Sequence, residues 1–256
     1  MGTPPFLTSA LLGRAGFPHA FTTRAAGNQG RGAPPDGDDV HANRAAVIRA
    51  LHLDPARHVE ADQVHGAAVA VVGARDAGRS LPDADGLATA EPGVVLAVHA
   101  ADCVPLLFAD PRTGAVAAVH AGWRGLAAGI PVEAVRVLAD RFDVRAEDLL
   151  VAVGPSIGPC HYEVDEPVMA RMRAWPWWEA VAPPNDRGRW QLDLRAACAR
   201  QLAGEGVLPE HIDVLDLCTY HHPGLFYSYR RDRASGRMAA VIAPRPRAAA
   251  ADGGNA

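Results

Sequence analysis

Lysine is absent from the sequence, and all 25 of its basic residues are arginines. The chain also lacks any run of basic residues and carries a net charge of −4, which argues against a nucleic-acid partner. It has no apolar run of the roughly 18 residues that would span a bilayer. The N-terminal segment lacks the basic residues and the long apolar stretch of a secretion signal, so we expect a cytoplasmic protein with no membrane partner.

Cysteine is scarce as well. Four cysteines are spread over 256 residues without the regular spacing of a disulfide framework, namely Cys103, Cys160, Cys198 and Cys218. In a chain without an export signal, such cysteines are expected to be reduced thiols. Each thiol is then free to pack as a small apolar group, to bind a metal or to act as a nucleophile.

Short apolar runs bounded by glycine, proline or aspartate predict buried strands. Because 49% of the residues are hydrophobic, the chain can bury a sizeable core. The runs lie at 67–72, 94–100, 104–109, 115–120, 149–154 and 213–218. The sequence PRTG between the runs at 104–109 and 115–120 is typical of a turn and predicts a hairpin.

Apolar residues at helical spacing separate some of these runs. They predict one helix over 125–142 and another within 191–207, with Asp193 as N-cap and Gly206 after its end. Since strands and helices intermix and one strand pair is antiparallel, the predicted fold class is α/β, a single mixed-sheet layered domain.

Three segments are expected to lack regular structure. The stretch 25–39, rich in glycine, proline and aspartate, predicts a surface loop. The stretch 174–190 holds four of the five tryptophans and is typical of a loop or short helix folded over a core. We expect one domain over residues 1–245, followed by a disordered tail at 246–256.

Soft or borderline metal ligands stand near the ends of three strand-like runs: His65 in DQVHG, Cys103 in AADC and His120 in VHAGWRG. Neither the separation of His65 from Cys103 nor that of Cys103 from His120 is typical of a zinc finger. The ligands would therefore come from three separate elements. Two histidines and one cysteine, without an evident fourth protein ligand, suit a catalytic zinc site that keeps one position open. Taken singly, such a cysteine is more often a small buried apolar residue.

The block ADCVPLLFADPRTGAVAAVHAGWRGLAAGI, which contains two of these residues, resembles the signature of a known family. Its members were once called multicopper polyphenol oxidases or laccase-domain proteins, and are now described as purine nucleoside phosphorylases, some as peptidoglycan editing factors. The resemblance continues through QVHG, GPSIGPCHYEV and FYSYRRDRASGRMAAVI and covers nearly the whole chain.

The resemblance implies that His65, Cys103 and His120 are both metal ligands and catalytic residues. It implies Zn²⁺ as the metal, with Cu²⁺ as the second choice because such sites bind copper tightly. It also implies a fold similar to the cysteine hydrolase fold of the cytotoxic necrotizing factor catalytic domain. The sequence departs from the family at 25–39, where the loop is shorter and lacks the family's asparagine.

Candidates for substrate binding lie in other motifs. Arg24 and Arg124 are positioned to bind phosphate, although a structural salt bridge is an equal interpretation. The alternation in YSYRRD predicts a strand with Tyr227 and Tyr229 on one face and places Arg230 where it could meet phosphate or a partner subunit.

The motif GPSIGPCHYEV follows a predicted strand. In it we expect Cys160 to pack structurally, Tyr162 to stack on a purine and Glu163 to orient a ribose hydroxyl. His221 and His222 are expected to be exposed in a turn. Asp102 is a candidate to orient a ligating histidine, as metal sites commonly require.

The function implied first is a metal-dependent purine nucleoside phosphorylase. It would act on adenosine, inosine and 5′-methylthioadenosine with phosphate and would also deaminate adenosine, as a monomer or small homo-oligomer. The alternative is a cysteine-dependent hydrolase involved in peptidoglycan precursor editing, with Cys103 as nucleophile and His120 as base. A copper polyphenol oxidase is disfavoured because the sequence has no His-x-His pair.

Overall fold

The computed structural model describes residues 2–30 and 39–245. Most of the loop expected at 25–39, namely residues 31–38, and the tail expected at 246–256 lie outside the described residues. No helix of the described ranges is long and apolar enough to cross a membrane.

The strands, in chain order, are β1 (Phe6–Leu7), β2 (His19–Thr22), β3 (His58–Ala61), β4 (Val69–Val71), β5 (Ser80–Leu81), β6 (Gly86–Thr89), β7 (Val95–Ala100), β8 (Val104–Ala109), β9 (Val116–Ala121), β10 (Leu150–Val153), β11 (Glu163–Val164), β12 (Trp190–Gln191), β13 (Ile212–Val214) and β14 (Met238–Ile242). The α-helices are α1 (Ala10–Arg14), α2 (Val40–Ala50), α3 (Trp123–Ala127), α4 (Ile130–Phe142), α5 (Glu166–Met172), α6 (Trp178–Val181) and α7 (Leu194–Gly204). Turns of 3-10 helix lie at Arg24–Ala26, Pro55–Arg57, Ala74–Asp76, Ala146–Asp148 and Pro209–His211.

Two six-stranded mixed sheets form the centre of the fold. The first has the order β1-β2-β14-β7-β3-β5 and the second the order β13-β10-β8-β9-β6-β4. Each combines antiparallel and parallel neighbours, such as β14–β7 and β3–β7 in the first sheet. The predicted α/β class with layered mixed sheets is confirmed.

The period-2 alternation of apolar side chains explains the layers. In β8, Leu106 and Phe108 pack in one core cluster with Leu138 of α4, whereas Leu107 belongs to another cluster with Leu96 of β7. The two sheets therefore pack face to face, and α3, α4, α5 and α7 cover the outer face of the second. Helix α2 covers the outer face of the first. Burying each large apolar side chain stabilises this arrangement by about 1.5–3 kcal/mol.

The hairpin predicted around PRTG is confirmed: β8 and β9 pair antiparallel, with Leu107 opposite Ala118. The Asp110 carboxylate closes the turn by accepting hydrogen bonds from the backbone N–H and the hydroxyl of Thr113. Gly114 adopts the positive φ that the turn requires. At the open end of the hairpin, the start of β8 lies beside the end of β9. The link from β7 to β8 therefore reaches the same edge of the sheet as the end of β9.

The helix predicted over 125–142 is interrupted. Gly129 has a φ of 82° and separates α3 from α4, and Pro131 stands in the first turn of α4. Proline is well tolerated there but not inside a helix, so the chain makes two helices. The second predicted helix is confirmed as α7, with the Asp193 carboxylate accepting from the N–H groups of Arg195 and Ala196.

The run at 213–218 is a strand only at its beginning, since β13 ends at Val214. The Arg195 guanidinium donates to the Leu217 carbonyl at 3.1 Å and pairs with the Asp216 carboxylate at 2.8 Å. These contacts turn the chain away from the sheet. The resulting loop, residues 215–222, comes to lie against the residues that follow β10.

Candidate functional site

His65, Cys103 and His120 come together although they belong to three different parts of the chain. His65 follows β3, Cys103 lies in the link between β7 and β8, and His120 is in β9. The metal-ligating atoms of the three side chains all lie within 4.8 Å of one another. The Cys103 Sγ is 3.9 Å from the His65 Nε2, and the two imidazole rings meet edge to face with centroids 4.8 Å apart.

Asp85, at the end of the link before β6, organises this cluster. Its fully buried carboxylate accepts hydrogen bonds from the backbone N–H groups of Val64, His65 and Gly66 at 2.7–3.1 Å. It also lies 2.8 Å from the His120 Nδ1, which must donate because a carboxylate only accepts. The Nε2 of His120 is thereby left for the space shared with the other two residues.

The same carboxylate explains the backbone at His65, whose φ of 61° is unusual for a residue with a side chain. Three consecutive N–H groups can point at one carboxylate only if the chain bends sharply. Burial opposes the charged form of Asp85, but the hydrogen bonds from His120 and the backbone lower its pKa. Asp85 is thus a fixed negative charge behind the cluster.

The charges in the cluster are coupled. Burial opposes a Cys103 thiolate, but attraction and hydrogen bonding from His120 and His65 lower the pKa of Cys103 to about 6. Burial likewise opposes a charged His120, while the Cys103 charge and the Asp85 hydrogen bond raise the pKa of His120 to about 9. Each group therefore favours the charged form of the other, a thiolate beside an imidazolium. A metal ion bound by both would displace the proton of His120, because only the neutral imidazole is a ligand.

The space between His65, Cys103 and His120 is open because residue 122 is a glycine. A Cβ at Gly122 would lie 2.9 Å from the His65 Cδ2 and 3.0 Å from the Cys103 Sγ. A sulfur and two imidazole nitrogens are the donors that Zn²⁺ and copper prefer, and three protein ligands leave a coordination position free. The residues present therefore fit a catalytic metal ion.

Asp102 does not orient a ligating histidine, contrary to the expectation from its position. Its carboxylate accepts hydrogen bonds from the Thr219 and Ser228 hydroxyls at 2.6 and 3.1 Å and from the Arg230 N–H. The orienting role belongs to Asp85, which the sequence analysis did not assign. Asp85 lies 35 residues from His120 in the chain, and a separation of that length gives no sign of the contact.

The contacts of Asp102 also overturn the strand predicted for YSYRRD. Because Ser228 turns inward to Asp102, the segment 227–232 is a loop, and Tyr227 is buried whereas Tyr229 is 47% exposed. The two tyrosines therefore do not share a face. Tyr229 instead reaches the cleft over the metal-ligand cluster.

A cleft of about 540 Å³ opens over the cluster, within the usual size of small-molecule sites. Its polar lining includes Gln63, Arg124, Tyr229 and Arg237 in addition to the three clustered residues. Arg124 projects from α3, with its guanidinium 4.5 Å from the centroid of the Trp123 ring. Arg124 was a candidate from the sequence, whereas Gln63 and Arg237 were not. Nothing in the sequence around Gln63 and Arg237 marks them as residues of a binding site.

Arg237 is held at the cleft by the start of the loop at 25–39. The Asn28 side-chain oxygen accepts from the N–H groups of Gly30 and Arg237, at 3.0 and 2.8 Å. Gly30 itself lines the cleft. The described start of this segment therefore contributes to the site through Asn28.

Tyr162 and Arg230 lie next to the cluster. Tyr162 is half-buried, and the Arg230 guanidinium lies 5.0 Å from its ring centroid. Burial, together with the nearby Cys103 and Asp102 charges, raises the pKa of the Tyr162 hydroxyl. Arg230 donates from its guanidinium to the His161 and Glu163 carbonyls, at 3.4 and 3.2 Å, and so is engaged with the chain.

Glu163 and Arg24 do not take the positions expected of substrate-binding residues. The Glu163 carboxylate accepts from the Asn185 amide at 2.7 Å and pairs with Arg187 and Arg189 at 3.3 and 3.5 Å, so it faces the turn before β12. Arg24 is exposed and lies over the Tyr227 ring at 4.7 Å. These contacts give neither residue a place in the cleft lining.

Comparison with known proteins agrees with the arrangement. Residues 18–245 match the family model described as multi-copper polyphenol oxidoreductase laccase. The chain is 39% identical over 260 residues to the purine nucleoside phosphorylase YlmD of Geobacillus stearothermophilus, covering 95% of this chain and 93% of that protein. It is 40% identical over 249 residues to a purine nucleoside phosphorylase of Deinococcus radiodurans, covering 94% of each.

Solved structures give the same result for the fold. The crystal structure of YlmD from Geobacillus stearothermophilus superposes with a TM-score of 0.89 at 36% identity, covering 96% of this chain and 98% of that one. Neisseria meningitidis protein NMB0706 superposes with a TM-score of 0.83 at 31% identity, covering 95% and 100%.

Proposed function

Since the chain belongs to the multi-copper polyphenol oxidoreductase laccase family, whose curated relatives are named purine nucleoside phosphorylases, we propose that it catalyses phosphorolysis of purine nucleosides. The substrates in this proposal are adenosine, inosine and 5′-methylthioadenosine. The observation that carries it is the cleft, whose lining includes Arg124 and Arg237 together with His65, Cys103 and His120.

The reaction joins a phosphate oxygen to C1′ of the ribose and breaks the bond from C1′ to the purine nitrogen. The bonding electron pair goes to the purine, which takes up a proton as it leaves. Arg124, at the cleft, supplies positive charge that holds a phosphate dianion in place. Arg237, whose guanidinium also donates to the Ser235 and Gly236 carbonyls at 2.7 and 3.1 Å, adds to that charge. Positioning the two reactants in this way provides much of the rate acceleration available to such a reaction.

The remaining lining serves the nucleoside. Tyr229, exposed in the cleft, offers a ring face on which a purine can stack, and Tyr162 is placed beside the cluster to make a second contact. Gln63 is fixed with its amide N–H donated to the His99 carbonyl at 2.7 Å, so the strand β7 sets its orientation.

His65, Cys103 and His120 would hold the metal, and Asp85 would keep the His120 ring in the ligating tautomer. When bound, Zn²⁺ or Cu²⁺ supplies Lewis-acid polarisation of water or of a substrate oxygen. The proposal includes adenosine deamination at the same site, in which water adds to C6 and ammonia leaves.

The test is chromatography of the products formed from adenosine with and without phosphate. Adenine that appears only with phosphate establishes phosphorolysis, and inosine that appears in both establishes deamination. His65→Ala, Cys103→Ala and His120→Ala should each lose turnover by at least about a hundredfold, whereas the exposed His41→Ala serves as the control. Absence of both products from protein that holds metal would contradict the proposal.

A second candidate is a cysteine-dependent hydrolase, such as one acting in peptidoglycan precursor editing. The lowered pKa of Cys103, about 6, favours it, because a thiolate is then present at neutral pH. The Cys103 sulfur would attack a substrate carbonyl, His120 would give its proton to the departing amine, and water would release the acyl group. The implied likeness to the cytotoxic necrotizing factor catalytic domain is part of this candidate.

Alkylation by iodoacetamide separates the two. If a metal occupies the cluster, Cys103 should react only after a chelator is added, and its reactivity should then rise as the pH increases through about 6. Peptide mass spectrometry identifies the modified cysteine. Rapid alkylation of Cys103 that is indifferent to chelator and metal would favour the hydrolase.

A further inference from the structure

A second cluster of metal-binding side chains lies outside the site described above. The ligating atoms of Cys160, His161 and His221 are all within 4.8 Å of one another. Cys160 was expected to pack in the interior, but its side chain is exposed. His221 is exposed as well, as expected.

Two loops meet to form this cluster. The loop after β10 carries Cys160 and His161, and the loop after β13 carries Cys218 and His221. A β-bridge joins Ser156 to Cys218, and the Gly158 N–H donates to the Cys218 Sγ at 3.2 Å. The sulfur of Cys218 thus lies next to the turn that carries Cys160 and His161.

Adjacent residues rarely share a ligand site, because their side chains usually point apart. Here the His161 N–H donates to the Gly158 carbonyl at 3.0 Å, and this tight turn brings the two side chains to the same side. The Cys160 Sγ is 3.1 Å from the His161 Nδ1, and the Cys218 Sγ is 3.9 Å from the same nitrogen.

The imidazole rings are held in place. The His161 ring stacks on Tyr220, with centroids 4.3 Å apart and an angle of 22° between the planes. The His221 ring meets it edge to face at 5.4 Å. The stacking orders His161 before any ion arrives, which reduces the entropy lost on binding.

The spacings suit a tetrahedral zinc ion. With Zn–N and Zn–S bonds of about 2.0 and 2.3 Å, neighbouring ligand atoms lie roughly 3.3–3.8 Å apart. The sulfur-to-nitrogen distances of 3.1 and 3.9 Å bracket that range. Cys218 does not belong to the group of three whose ligating atoms all lie within 4.8 Å of one another, so its side chain must move to complete the set of four donors.

We propose that Cys160, His161 and His221, together with Cys218, form a second metal site that binds Zn²⁺ or a similar borderline divalent cation. Two thiolates and two imidazoles fill all four positions, which is typical of a structural site rather than a catalytic one. Each thiol releases its proton to solvent when the ion binds.

The site would fix a wall of the catalytic cleft. Thr219, next to Cys218, donates its hydroxyl to the Asp102 carboxylate, and Asp102 precedes Cys103 in the chain. The Arg231 guanidinium also donates to the Thr219 and Tyr220 carbonyls. A metal that joins the two loops would therefore stabilise the segment on which the first cluster rests.

The test uses Co²⁺ as the probe, in a Cys103→Ser background that removes the thiolate of the first cluster. We expect one equivalent of Co²⁺ to bind with a sulfur-to-cobalt charge-transfer absorption. Adding Cys160→Ser or His221→Ala should weaken binding at least about tenfold, whereas adding His222→Ala, which changes the neighbouring histidine, should leave it unchanged. Absence of the absorption in the background protein, or its persistence in both ligand variants, would overturn the proposal.

A measurement on the unaltered chain covers the case in which a variant fails to fold. Zn²⁺ should slow iodoacetamide alkylation of Cys160 at least about tenfold relative to chelator, as followed by peptide mass spectrometry. Equal rates would contradict the proposal, and so would a Cys160–Cys218 disulfide that forms readily in air with Zn²⁺ present. None of these outcomes depends on activity toward nucleosides.

Discussion

At the scale of single residues, Asp85 has the largest number of consequences for the site. Its one carboxylate binds three backbone N–H groups around His65 and the ring of His120, so it positions two ligands at once. Without Asp85, no hydrogen bonds to its carboxylate would offset the strain of the positive φ at His65. The geometry of the cluster therefore depends on a residue that is not one of its three candidate metal ligands.

Asp85→Asn should weaken Zn²⁺ binding by about 10–100-fold, because the amide keeps the shape but loses the negative charge that makes the neutral His120 ring a more basic ligand. Competition with a chromophoric chelator measures the affinity. Asp62→Asn, an exposed carboxylate at the cleft, provides the control. Equal affinities for the two variants would show that Asp85 does not tune the site.

Gly122→Ala should fill the space between the three candidate metal ligands without disturbing the fold. The φ and ψ of Gly122, −74° and 167°, suit any residue, but the new methyl group would press on His65 and Cys103. Zinc content after dialysis should fall to near zero, with the melting temperature of the metal-free protein little changed. Gly204→Ala, which meets nothing within 4 Å, should retain its metal.

The residue scale is also where the sequence is most and least informative. His65, Cys103 and His120 could be selected because soft ligands at strand ends are uncommon, and the structure brings them together. The roles of Asp85 and Asp102 could not be assigned, because each acts on residues distant in sequence. Asp102 was favoured because it is adjacent to Cys103 in the chain. Asp85, which contacts His120, lies 35 residues away from it.

At the scale of elements, strand β3 is tied to helix α2 by a buried ionic group. Arg44 of α2 and His58 both bind the Glu60 carboxylate, which is only 3% exposed. The hydrogen bond to Glu60, partly offset by burial, raises the pKa of His58 above its usual value. The strand that leads to His65 is therefore stabilised most when His58 is protonated.

The stabilisation by His58 should be fully present below about pH 6.5, the ordinary histidine pKa, and should be lost as the pH rises through the raised value. His58→Gln should thus lower the free energy of unfolding by about 1–3 kcal/mol at pH 6 and by less at pH 9. Urea denaturation at the two pH values measures this. An equal loss at both would contradict the assignment.

Prediction of elements succeeded where local signals agreed with tertiary packing. The β8–β9 hairpin and α7 have both a periodic pattern and a turn or cap residue. The segment 227–232 alternates like a strand, but the hydrogen bonds of Ser228 and Arg230 to Asp102 make it a loop. Alternation cannot reveal a buried carboxylate contributed by another part of the chain.

At the scale of the whole molecule, the proposed metal site of His65, Cys103 and His120 lies where the two sheets meet. His65 follows a strand of the first sheet, His120 belongs to the second, and Cys103 lies in the link between them. The packing of the sheets against each other therefore sets the distances between the ligands. That packing was implied by the layered class, but the strand order was not predictable from spacing.

Leu107→Ala should lower the free energy of unfolding by about 2–5 kcal/mol, because it opens a cavity in the layer between the sheets. It should also weaken metal binding although Leu107 is not a ligand. Leu208→Ala, at a position 38% exposed, should change stability by about 0.5 kcal/mol or less. Thermal unfolding with and without Zn²⁺ measures both effects, and unchanged metal affinity in Leu107→Ala would contradict the coupling.

The place of β14 in the first sheet has a consequence for biosynthesis. β14, at Met238–Ile242, lies between β2 and β7, both of which emerge from the ribosome long before it. Until then β2 and β7 have no partner between them, and their unpaired edges are open to other chains. The nascent chain is therefore open to mispairing at both edges from the synthesis of β7 until β14 has been made.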